Sequence, residues 1–180
     1  PASTSTGTPA RVVFESRFED GWTESFADAS QAEAAPKLTE EHAADGEQSL
    51  LLASVPGGSS RNAVRSLAAL EGPGVAGVVV KPVLIEGPES SITVVLSDPD
   101  SDAKLSLRYS RYHSDYLEVV ETNGDGESAG VHTTDGSLSE GRWSMLSVTV
   151  DEGSILVLGA DANLEFEPAL DWADRKKRLA

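Results

Sequence analysis

The chain has 180 residues, 30 acidic and 14 basic, for a formal net charge of −16, and 39% of it is hydrophobic. That length suits one domain, and the apolar fraction supplies a core while leaving room for loops, which excludes a wholly disordered chain. No run approaches the roughly 18 apolar residues of a membrane-spanning helix, the charge excludes a broad cationic surface for nucleic acid or anionic lipid, and the lack of cysteine excludes disulfides and thiolate chemistry.

Residues 1–10, PASTSTGTPA, hold only small and polar side chains with proline and read as a flexible linker. The expectation is a module of a multidomain polypeptide; no basic-then-apolar leader opens the chain. Residues 11–170 read as short strands broken by turns. Val12, Phe14 and Phe18 start the series. Glu47–Val55 stops at Pro56-Gly57-Gly58, and Val75–Ile85, rich in β-branched residues, stops at Gly87-Pro88. Ser91–Leu96 ends at Ser97-Asp98-Pro99. Leu105, Leu107 and Tyr109 alternate, as do Leu117 and Val119 before the Asn123–Gly126 turn. Trp143–Val150 places Leu146, Val148 and Val150 on one face and Trp143 and Met145 on the other, with Trp143 expected to pack. Asp151-Glu152-Gly153 then turns into Ile155–Leu158. Short strands at regular spacing predict an all-β antiparallel sandwich. Two stretches read as helical. Gln31–Ala35 is short and ended by Pro36. Asp171–Ala180, DWADRKKRLA, has an acidic start and a basic end that match a helix dipole, so 171–180 is expected as a C-terminal helix or tail.

Three stretches carry a resemblance. They are Phe14–Leu52 (FESRFEDGWTESF…EEHAADGEQSLLL), Gly141–Val148 (GRWSMLSV) and Asp151–Val157 (DEGSILV). Together they resemble the concanavalin A-like jelly-roll families, in particular the laminin-G-like lectin and glucanase superfamily. The opening is also similar to that of jelly-roll carbohydrate-binding modules. The resemblance spans residues 12–167 and implies a jelly-roll β-sandwich; its motifs are turns and core residues, so they speak for fold more than for ligand.

Retaining glycosidases of that fold carry their acids on one strand as E-x-D-x-E, which sets two carboxyl groups on one sheet face. No such motif is present. Glu118 and Glu121 fall on opposite faces, while Glu165 and Glu167 share a face but lack a third acid in register. No G-x-S-x-G elbow occurs, and His42, His113 and His132 are isolated. The chain is therefore expected not to be an enzyme.

Asp98, Asp100 and Asp102 form D-x-D-x-D on a turn. Clustered carboxylates suit a hard cation such as calcium, although aspartate, serine and proline are also what an ordinary turn prefers. The resemblance implies a second structural calcium, held by Glu19 or Asp20, the Asp45 turn, and an acid near the C-terminus such as Asp171. All three tyrosines lie in Arg108–Tyr116, with Arg108, Arg111 and His113. Period-2 counting turns Tyr109 inward and leaves Arg108, Tyr112, Tyr116 and Glu118 on one outer face. Sugars bind such faces by stacking on aromatic rings and by hydrogen bonds to arginine and carboxylate, and two arginines favour an anionic sugar. An ordinary cross-strand ladder would use the same residues. Trp22, in an acidic loop, is a further candidate for the ligand. The basic run Arg175–Arg178 reads as a helix end rather than a nucleic-acid patch.

The reading is a non-catalytic, lectin-like carbohydrate-binding module that binds a polysaccharide or other glycan on an exposed sheet face. It would belong to a larger extracellular or cell-surface protein, with calcium as a scaffold, and with neither nucleic acid nor membrane insertion. The alternatives are a structural or adhesion module that binds protein, and a glycan-active enzyme.

Overall fold

A computed structural model describes residues 18, 19, 23, 26–28, 36–41, 43, 44, 46–52, 63–82, 91–110, 116–139, 141–159 and 161–180. Thirteen strands run through them: β1 (Phe26–Asp28), β2 (Lys37–Thr39), β3 (Ser49–Leu51), β4 (Val64–Ser66), β5 (Gly74–Val80), β6 (Ser91–Ser97), β7 (Lys104–Ser110), β8 (Tyr116–Thr122), β9 (Ser128–Asp135), β10 (Ser144–Asp151), β11 (Ser154–Gly159), β12 (Ala162–Phe166) and β13 (Arg178–Leu179). No helix occurs among the described residues. One sheet has the order β12-β11-β10-β5, the other β13-β6-β7-β8-β9, and two ribbons pair β1 with β4 and β2 with β3. The paired neighbours within each sheet are antiparallel.

Alternation explains why these strands stack as two layers. Val94, Leu96, Leu105, Leu107, Leu117 and Val119 on the five-stranded sheet share one buried cluster with Leu146, Val148, Val150, Ile155 and Val157 on the four-stranded sheet. Each sheet thus turns one parity inward, and burial of these aliphatic faces drives the layers together. The inward placement of Leu105, Leu107, Tyr109, Leu117 and Val119 matches the period-2 expectation. Tyr109 spans the core, and its hydroxyl donates to the Gly159 carbonyl at 3.2 Å. Burial pushes its pKa up to about 12. The β10–β11 hairpin closes at Glu152-Gly153, between the paired Asp151 and Ser154, with Gly153 at φ 79°. Such a two-residue loop needs a left-handed residue, which glycine adopts without strain.

The helix expected over 171–180 does not form. The segment bends and then adds β13 to the edge of β6. Its backbone is committed to ladders: Ala180 exchanges both hydrogen bonds with Val95 (2.7 and 2.8 Å), and Lys177 exchanges both with Leu70 (2.8 and 2.9 Å). Trp172, fully buried, and Lys177, 2% exposed, anchor it. Lys177 Nζ donates to the carbonyls of Trp172 and Arg175 at 2.7 and 2.5 Å, and burial lowers its pKa. Tertiary burial of these two side chains outweighs a ten-residue helix propensity worth tenths of a kcal/mol per position. The helix expected at Gln31–Ala35 lies outside the described residues.

Candidate functional site

The outer face of the five-stranded sheet gathers the sequence-predicted ligand residues that the structure describes. In β7 and β8, Arg108 stands directly across from Glu118. Thr93 of β6 flanks Arg108, and Thr133 of β9 flanks Glu118, so one row reads Thr93, Arg108, Glu118, Thr133. The next row runs from Ser91 through Ser110 to Tyr116 and Asp135. On the other side lies a row of three valines and a serine, Val95, Ser106, Val120 and Val131. Facing side chains on neighbouring strands sit about 5 Å apart, and successive rows about 7 Å, so the three rows cover an area comparable to a short oligosaccharide. Arg108 is exposed, and Tyr116 and Glu118 are half-buried. Their polar ends make no side-chain hydrogen bond or ion pair with other described residues. Tyr112, Arg111, His113 and Trp22 lie outside the described residues.

Glu121, three residues along from Glu118, points the opposite way. It is fully buried. Its Oε1 accepts the Ala169 N–H at 3.0 Å, and its Oε2 accepts the Leu170 N–H at 3.1 Å and the Trp172 indole N–H at 3.0 Å. His132 Nε2 lies 3.6 Å from Oε1, and its ring stacks on Phe166 at 3.9 Å. This carboxylate ties the C-terminal segment beneath β8. The sequence holds one clue to it, an acid on the inward parity of a strand otherwise alternating Leu117 and Val119.

The D-x-D-x-D turn is closed by protein cations. Asp98 is buried; its carboxylate accepts from the Asp100 N–H (3.0 Å), the Ser101 hydroxyl (2.5 Å) and the Arg175 guanidinium (2.9 Å). Burial alone would raise its pKa, but these hydrogen bonds and the Arg175 charge outweigh that and hold it below the ordinary value. Asp100 pairs with Lys176 at 3.1 Å, which raises the exposed lysine's pKa. Asp102, exposed, occupies a left-handed turn position at φ 56°. The first and last of the four basic residues at 175–178 thus serve a turn clasp and a strand, not the end of a helix. Of the second set, Glu19 lies beside Gly46. Its Oε1 accepts the Glu47 and Gln48 N–H groups at 2.8 and 3.1 Å, and a Cβ on Gly46 would collide with that carboxylate. Asp20 and Asp45 lie outside the described residues, and Asp171 is exposed. Among the described residues, no three His, Asp or Glu side chains converge as a metal site.

Glu165 and Glu167 are both exposed; Glu165 lies on the outer side of the four-stranded sheet, in register with Leu156, and Glu167 follows the end of β12. Glu165 is thus on the opposite side of the molecule from Arg108 and Glu118. Trp143 is half-buried, as expected for a packed ring, and Met145 is 61% exposed.

No protein-family model and no curated protein sequence matches the chain. Solved structures do. The β-glucanase of Bacillus licheniformis superposes with a TM-score of 0.62 at 13% identity, over 91% of this chain and 81% of that one. The enzymatically active domain of tailspike protein 2 of bacteriophage CBA120 gives 0.57 at 12% identity, over 95% of this chain but 26% of that one. The carbohydrate-binding module CBM66 of Bacillus subtilis gives 0.47 at 10% identity, over 72% of this chain and 83% of that one. The chain has the concanavalin A-like jelly-roll fold.

Proposed function

We propose that the chain is a carbohydrate-binding module that holds a polysaccharide on the outer face of the five-stranded sheet without cleaving it. The observation that carries the reading is the in-register Arg108–Glu118 pair, flanked by Thr93 and Thr133 and without side-chain partners among the described residues. Guanidinium and carboxylate together offer the bidentate donors and acceptors that vicinal hydroxyls match. Tyr116, one row away, offers a ring face for C–H stacking. Likeness of fold to a β-glucanase makes a glycan the first ligand class to test. A setting in a larger, secreted or surface protein belongs to the same proposal.

Binding to a glycan array that includes acidic polysaccharides tests it. Arg108→Ala and Tyr116→Ala should each weaken binding about tenfold or more, with the melting temperature within about one degree of the parent, as for a surface substitution. A folded protein that binds no glycan on the array would overturn the reading. A second reading, glycan cleavage, rests on Asp135 and Glu118, two acids on neighbouring strands of the same face, two positions apart in register. Release of reducing ends, abolished by Glu118→Gln, would establish cleavage instead of binding alone.

A further inference from the structure

The outward residues of the five-stranded sheet divide by charge. Arg108 of β7 is matched across the ladder by Glu118 of β8, and Asp135 of β9 lies one row further on. Towards the start of β7 the pattern changes. Lys104 stands in register with Ser97 of β6, and Ser97 with Arg178 of β13, so this row reads Arg178, Ser97, Lys104, Thr122. Leu105 is fully buried, and Leu179 packs against the same core cluster. Strand alternation therefore turns Lys104 and Arg178, one position before each leucine, to the outer face that carries Arg108. Lys104 is exposed and Arg178 half-buried. Ser97, between them, donates its hydroxyl to the Arg178 carbonyl at 3.4 Å and so ties β13 beside β6.

The turn beside this row leaves both cations unmatched. Its carboxylates are taken by the earlier basic residues of the C-terminal segment: Asp98 pairs with Arg175 at 2.9 Å and Asp100 with Lys176 at 3.1 Å. Lys177 is buried on the carbonyls of Trp172 and Arg175. Neither Lys104 nor Arg178 makes an ion pair with an acid, Asp102 of the turn included, among the described residues. The Arg178 Nε is shielded from solvent with no hydrogen-bond partner. Two strand spacings put the backbones of Lys104 and Arg178 roughly 10 Å apart, so two long side chains can close on one group. Lys104 is four residues from Arg108 on the same strand, roughly 13 Å.

We propose that Lys104 and Arg178 form an anion subsite at the end of the sugar-binding face, so that the ligand is an acidic polysaccharide. A carboxylate or sulfate ester of the chain seats between the two side chains, while hydroxyls of neighbouring sugars meet Arg108 and Glu118. The inference rests on the carbohydrate-binding reading and narrows it to a charged glycan. Arg108 is not the source of the charge preference, because Glu118 across the ladder offsets it. Lys104 and Arg178 have no such offset. The ammonium supplies a point charge, and the guanidinium a planar fork that matches two oxygens of one anion. The net charge of −16 does not cancel this attraction at contact, because at physiological salt charges more than about 8 Å apart are largely screened. It does oppose indiscriminate attraction of polyanions, so a preference for an acidic glycan has to come from a local site.

Titration calorimetry with two matched pairs of polymers tests it: polygalacturonate before and after carboxyl reduction, and a sulfated galactan before and after desulfation. In at least one pair the acidic form should bind about tenfold or more tighter than its neutral counterpart, and the ratio should fall as salt is raised from about 0.05 to 0.5 M. The pair that responds identifies the anion as carboxylate or sulfate ester. Lys104→Gln, at an exposed position, should reduce the ratio to about twofold or less, with the melting temperature within about one degree of the parent. Arg178→Gln should reduce it likewise; if that half-buried position proves necessary for folding, Lys104→Gln carries the test. Equal affinity for the charged and neutral forms overturns the anion subsite and leaves the carbohydrate-binding reading standing. A preference for the acidic form that survives Lys104→Gln also overturns it, since the cations responsible would lie elsewhere. Binding to none of the four polymers, with a blank glycan array, overturns both.

Discussion

Replacing Glu121 by glutamine isolates the weight of one buried carboxylate. The three N–H groups that meet it come from Ala169, Leu170 and Trp172. Glutamine keeps the shape but supplies one acceptor oxygen. Its better orientation keeps that oxygen where Oε2 stood, still accepting from Leu170 and Trp172, and turns its amide toward the Ala169 N–H. One buried donor is then unsatisfied, at about 1–3 kcal/mol, and two charge-assisted bonds become neutral ones, each about 1 kcal/mol weaker. Relief of the carboxylate's own desolvation offsets part of this. The net expectation is a loss of about 2–3 kcal/mol, which for a domain of this size lowers the melting temperature by roughly 5–10 °C. Glu118→Gln, three residues away on the outer face, should stay within about 0.5 kcal/mol. Calorimetry and urea titration of both variants measure the difference. Equal melting temperatures for the two would refute the anchoring role of Glu121 and the assignment of opposite faces to the two glutamates.

Removing the clasp with Arg175→Ala should cost about 2 kcal/mol, less than a fully buried pair because Arg175 is partly exposed. Asp98 has a lowered folded-state pKa, so its stabilisation is complete well above the ordinary value of 3.8 and is lost as the pH falls through the folded value. The acid limb of the melting-temperature profile should therefore shrink in Arg175→Ala; an unchanged limb would remove the clasp from the account. Tyr109 has the opposite dependence. Its pKa rises from 10.0 to about 12, so the stability it confers holds below pH 10 and is lost between those two values. Two units correspond to at most about 2.7 kcal/mol, and Tyr109→Phe should abolish that alkaline loss relative to the parent. A calcium chelator should leave the melting temperature unchanged through the 98–102 turn, whose acids already meet Arg175 and Lys176. A shift of several degrees that Glu19→Gln abolishes would instead locate a scaffold ion at Glu19.

Sequence periodicity by itself determined the layers of this protein. Leu105, Leu107, Leu117, Val119, Leu146, Val148 and Val150 alternate so strictly that one parity must be buried, and the turns at Asn123–Gly126 and Asp151–Gly153 set where strands reverse. The same counting put Arg108, Tyr116 and Glu118 on one face, because period 2 fixes direction once a single neighbour is known to be inside. Strands with few large apolar residues escaped it: β9 (SAGVHTTD) has little contrast between faces, and β12 was visible only as the Glu165–Glu167 pair. The C-terminal segment escaped for a different reason. Its local signals favour a helix, but the Trp172 indole meets Glu121 of β8 and the Lys177 backbone pairs with Leu70, and those partners are distant in sequence. The role of Asp98 was settled in the same way, by Arg175 from 77 residues away. Short-range chemistry decided which residues face in or out. The meeting of remote charges was decided by the tertiary fold alone.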